Sequence, residues 1–157
     1  MLNYGLYTDA SLMFESVPGI VSIDFSHFNA SQVTTMFEMV VLCPMVMEIN
    51  APNLNTKNLT DVNNTFQDCG LLQEVNLSGW NTSKLEDMNS MFVNCSSLTS
   101  LDLSGWDVSN VTDMQDMFSG CDNLQTIKMV GCSEETINKI KTQLATDGIT
   151  GVNIITK

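Results

Sequence analysis

The apolar positions of this chain recur at a fixed interval of 26 residues. Cys43, Cys69, Cys95 and Cys121 mark one column of that repeat. Parallel columns run Ile23, Ile49, Val75, Leu101, Ile127 and Phe25, Ala51, Leu77, Leu103, Met129. Others run Phe28, Leu54, Trp80, Trp106, Cys132 and Met36, Val62, Met88, Met114, Ile140. The longest, Phe14, Val40, Phe66, Phe92, Phe118, Leu144, needs no gap. So many registered columns define a repeat protein, whose units bury their apolar faces against one another.

Within a unit the periodicity changes type. Leu101-Asp102-Leu103 alternates, which predicts a short strand. Val111, Met114, Met117 and Phe118 recur at i, i+3, i+6 and i+7, which predicts a two-turn helix. Asp107, Ser109 and Asn110 supply turn and cap chemistry between them. Neither element is stable alone, so the units must stack, with strands in parallel at about 4.8 Å per rung. The expected fold is an α/β repeat solenoid of leucine-rich-repeat type, with one short parallel strand and one short helix per unit and a concave parallel sheet.

The pattern Leu98-x-x-Leu101-x-Leu103-x-x-Trp106 is that of a leucine-rich repeat with Trp at the usual Asn or Cys position. Residues 77–98 and 103–124, and more loosely 25–46 and 51–72, resemble the BspA-like leucine-rich repeats of bacterial and protist surface proteins. The shared signature is L-x-L-S-G-W-D-x-S-x-V-x-x-M-x-x-M-F-x-x-C-x-x-L. The resemblance implies a secreted or cell-surface module that adheres to host-cell proteins, matrix proteins or other cells.

One solenoid domain is expected over 1–157: a partial unit at 1–14, with Tyr7, Ala10, Met13 and Phe14 in register, stacked units over 15–132, and a cap over 133–157. In that cap Ser133 is an N-cap candidate, Glu134 and Glu135 suit the first helical turn, and Gly148 is a C-cap candidate. Val152 to Ile155 supplies a last strand. The partial first unit suggests the C-terminal portion of a longer array.

Charge narrows the function. Six lysines, no arginine and 18 acidic residues give a net charge of −12. Such a chain offers no phosphate-neutralising patch for nucleic acid and is repelled by anionic membranes. The apolar run Met39–Met47 is too short to span a bilayer and contains Pro44. MLNYGLYTDASLMF has neither a basic n-region nor an apolar h-region, so no signal peptide is expected in it.

Candidate chemistry is sparse. The cysteine column reads as core filling; disulfides are the alternative, although side chains stacked in parallel suit them badly. Zinc ligation lacks a CxxC pair. His27 shares a column with Asn53, Gly79, Gly105 and Gly131, which suggests a left-handed turn position. Met36, Met39, Met88, Met91, Met114 and Met117 fall in inward columns, as do Trp80 and Trp106, whose exposure would instead suggest a carbohydrate platform. Seven Asn-x-Ser/Thr sequons follow from the turn-rich composition. Asp61, Asp87 and Asp113 stand at the expected helix starts, where the helix dipole accounts for them. No nucleophile–base constellation occurs, so an enzyme is not expected, and no metal or cofactor is implied.

The outward strand positions remain. Ser22, Glu48, Glu74, Ser100 and Thr126 form one column; Asp24, Asn50, Asn76, Asp102 and Lys128 form the next. Together they are a mainly acidic ribbon, expected to bind a protein with a basic surface. A structural spacer in a longer array and a cytoplasmic interaction scaffold are the alternatives. Calcium binding by the carboxylates fits poorly, because Asp24 and Asp102 lie three rungs apart.

Overall fold

In a computed structural model describing residues 7–157, the chain winds as a parallel β-solenoid. Six three-residue strands form one sheet in sequence order: β1 Ser22–Asp24, β2 Glu48–Asn50, β3 Glu74–Asn76, β4 Ser100–Asp102, β5 Thr126–Lys128 and β6 Asn153–Ile155. Register follows the repeat, with Ile23, Ile49, Val75, Leu101 and Ile127 paired in line and buried. Their outward neighbours face solvent, the alternation that a strand's two-residue period dictates.

The two-turn helix expected in each unit is absent; the one helix among the described residues is α1, Glu134–Thr146. Residues 88–95 instead make two successive four-residue turns. Met91 N–H donates to Met88 O and Cys95 N–H to Phe92 O, with Ser90 and Asn94 at φ 54° and 59°. That left-handed flip ends any helical path. The freed amides pair between units: Met88, Ser90, Phe92 and Asn94 donate to Asp113, Gln115, Met117 and Ser119 at 2.8–3.0 Å. Tandem four-residue turns bury Met88, Met91, Phe92 and Cys95, which is the same i, i+3, i+4, i+7 spacing as a helix face. An eight-residue helix is costly to nucleate, whereas turns leave these donors to the neighbouring unit. A second column of parallel bridges, Asp9–Thr35–Asp61–Asp87–Asp113, runs through this side. The aspartates therefore owe nothing to a helix dipole: Asp61, Asp87 and Asp113 accept the N–H two residues on, from Asn63, Asn89 and Gln115, at 2.8–2.9 Å.

The columns form the core. Phe66, Phe92 and Phe118 stack with centroids 5.5 and 6.3 Å apart. Trp80 and Trp106 stack at 6.0 Å and are buried, which excludes them as an exposed carbohydrate platform. Their indole Nε1–H groups donate to Ala51 O at 2.6 Å and Leu77 O at 2.9 Å. The cysteines share this device. Cys69, Cys95 and Cys121 are free, buried thiols that donate to Val40, Phe66 and Phe92 carbonyls of the preceding unit, each at 3.1 Å. A small apolar side chain with a donor gives the preceding unit's carbonyl a hydrogen bond that valine or alanine could not supply.

Two expectations in the first turns fail. Asn53, Gly79, Gly105 and Gly131 have positive φ, but His27 does not. The Phe28 N–H still donates to Phe25 O, the same turn bond that Trp106 and Cys132 make to Leu103 and Met129, so the His27 turn closes without the left-handed residue. In the partial first unit Ala10 is buried, whereas Tyr7 and Met13 are exposed. Residues 1–6 of that unit lie outside the described residues.

The far end is closed by α1. Ser133 Oγ accepts Thr136 N–H at 3.1 Å, and Gly148, at φ 76°, follows the C-cap Asp147. Ile140 and Leu144 continue the buried columns.

Candidate functional site

The ten outward residues lie on one face in the predicted columns, with Ser22 against Glu48, Glu74, Ser100 and Thr126, and Asp24 against Asn50, Asn76, Asp102 and Lys128. Seven of them line an open groove of ≈ 260 Å³: Glu48, Asn50, Glu74, Asn76, Ser100, Asp102 and Lys128. Ser22, Asp24 and Thr126 fall outside it.

The two columns differ in what their side chains already hold. The second is committed to turns. Asp24 Oδ1 accepts Ser26 N–H at 2.9 Å, Asn76 Oδ1 accepts Ser78 N–H at 3.0 Å and Asp102 Oδ1 accepts Ser104 N–H at 3.0 Å. These are Asx turns that bend the chain out of each strand. The Ser26 backbone and hydroxyl, helped by the Asn50 amide, hold the Asp24 carboxyl below its usual range. Asn50 precedes Ala51-Pro52, and proline has no N–H to accept from, so its amide reaches instead to Asp24 Oδ1 at 3.2 Å.

The first column is uncommitted. Glu48 and Glu74 are exposed, sit on adjacent strands and have no hydrogen-bond or ion-pair partner among the described residues. A stacked pair of like charges facing water is available to an outside cation. The sequence contained the means to separate the columns: Asp24-x-Ser26, Asn76-x-Ser78 and Asp102-x-Ser104 spell Asx turns, while Glu is too long for that role.

Among the described residues no three His, Cys, Asp or Glu side chains converge as a metal site. The thiols are unsuited to nucleophilic work: burial pushes Cys69 and Cys121 up to about 12 and Cys95 well above the usual thiol range. No helix among these residues is long and apolar enough to cross a membrane.

Fold and face together define a repeat solenoid with one polar groove across its sheet. Residues 8–130 match the family described as "Mycoplasma protein of unknown function, DUF285", and the chain belongs to that family. No curated protein and no solved structure matches the chain.

Proposed function

We propose that the solenoid is a non-enzymatic protein-recognition module that binds a basic surface through its sheet groove. The observation that carries this is the free Glu48–Glu74 pair on a rigid parallel sheet. A rigid face loses little conformational entropy on binding, and exposed carboxylates steer a cationic partner. The resemblance to BspA-like repeats supports an adhesive role on a cell surface or in secretion, toward host-cell or extracellular-matrix proteins. In that reading the unit is a leucine-rich repeat whose helix is replaced by tandem turns.

The test is surface plasmon resonance of the immobilised chain against a panel of basic extracellular-matrix proteins. A binder should associate more slowly as salt rises, and Glu48→Lys with Glu74→Lys should weaken it by at least about tenfold. Binding that survives this double reversal removes the groove from the account. A spacer role is the second reading, supported by the commitment of Asp24, Asn76 and Asp102 to turn formation. Absence of any binder across the panel favours it.

A further inference from the structure

We infer that an apolar corner beside β1–β3 is a docking surface for an amphipathic basic segment of a partner protein. Four side chains form it: Val21, Met45, Met47 and Leu71, which are 52%, 46%, 41% and 41% exposed. Met47 N–H donates to Val21 O at 2.8 Å, so these two are neighbours on consecutive rungs at the strand entrance. Met45 and Leu71 hold one position in consecutive units. For Met45, Met47 and Leu71 the exposure is no end effect, because β2 and β3 each have a strand on both sides; Val21 borders β1, at the edge of the sheet.

Nor does the fold demand apolar residues there. Further along the solenoid the Val21–Met47 column becomes Gln73, Thr99 and Gln125, and the Met45–Leu71 column becomes Ser97 and Asn123. Grouped exposed apolar side chains mark contact surfaces, and methionine adapts its shape to a partner. The charge beside the corner states the occupant's chemistry. Glu48 directly follows Met47, Glu74 stands beside it on β3, and no lysine precedes Lys57. The matching segment carries Lys or Arg along one side and Leu, Ile or Phe along the other. Its electrostatic half rests on the groove reading above; its apolar half does not.

Two fluorescently labelled peptides of equal length and charge separate these halves by anisotropy, one alternating Lys with Leu and the other Lys with Ser. The Lys–Leu peptide should bind the whole chain at least about tenfold more tightly. The variant Met45→Ser, Met47→Gln, Leu71→Ser takes each residue from the same position of another unit, which keeps the fold intact. It should lose the tenfold preference and keep its affinity for the Lys–Ser peptide. Equal affinity for both peptides, no binding of the Lys–Leu peptide, or a preference that survives the triple variant overturns the docking surface. A dimer in sedimentation velocity that the triple variant abolishes also overturns it, by making a second copy the occupant. Glu48→Gln with Glu74→Gln should weaken both peptides. If it weakens neither while the triple variant still removes the preference, the groove reading fails and the docking corner stands.

Discussion

An interior unit and the C-terminal cap solve the same problem with different groups. Inside the solenoid, Phe66 and Phe92 N–H donate to the Met91 and Met117 carbonyls of the next unit, both at 3.0 Å. Beyond Phe118 there is no such unit, and its N–H donates to the Asp147 carboxylate at 2.8 Å. The Val108 and Ser109 carbonyls receive the Lys139 ammonium at 3.1 and 3.0 Å, and Val108 N–H donates to Thr136 Oγ1 at 3.2 Å. Asp147 thus occupies the place of another unit's main-chain carbonyl, while Lys139 on Ser109 O replaces the side-chain amides that Asn58 and Asn110 donate to Ser31 and Ser83 O inside the array. Ending a solenoid requires replacing main-chain partners as well as covering apolar columns.

Breaking an interior column should cost most. Trp106→Ala removes the stack on Trp80 and leaves the Leu77 carbonyl without its indole donor. A loss of about 3–5 kcal/mol is expected in urea unfolding, larger than for any single cap residue. A smaller loss would mean that neighbouring units close over the hole.

The cap should cost less and respond to pH. Asp147→Ala strands the Phe118 N–H and should destabilise by about 1–3 kcal/mol, read by the same titration. Asp147→Asn keeps an acceptor and tests the charge. Burial holds the Asp147 carboxyl above its ordinary value of 3.8, so the folded chain binds that proton more tightly. This contribution is complete below the unfolded value and fades as pH rises through the raised folded one. Stability of wild type relative to Asp147→Asn should therefore fall as pH rises from 3.8 and then level off. The opposite slope would mean that the Phe118 and Gln143 hydrogen bonds outweigh burial. Smallest of all, Ser133→Ala should cost about 1 kcal/mol, because only the first turn of α1 loses a partner.

Much of this was legible before the structure. The 26-residue register, the buried ladders, the Ser133 cap and the last strand all follow from side-chain spacing. The turn-for-helix substitution did not. Spacing reports which residues face inward, and Met88, Met91, Phe92 and Cys95 face inward in either conformation; what distinguishes turns from helix is where the amides go, and the partners of Met88 and Phe92 are 25 residues away. The outward columns lie in the register the repeat predicts, yet the repeat spacing does not separate one column from the other. Their difference lies in local geometry: aspartate and asparagine reach the N–H two residues on, and Glu48 and Glu74 are left for solvent.

The cysteine column has a consequence for how the chain matures. Its thiols act as hydrogen-bond donors between units, and burial keeps them protonated far above neutral pH. A protonated, enclosed sulfur attacks neither disulfides nor peroxide, since the thiolate is the reactive form. Once wound, the solenoid holds its shape without cross-links, and neither an oxidising nor a reducing milieu has a handle on that column. Folding must win only one race: each sulfur has to be enclosed before it meets another in the unwound chain.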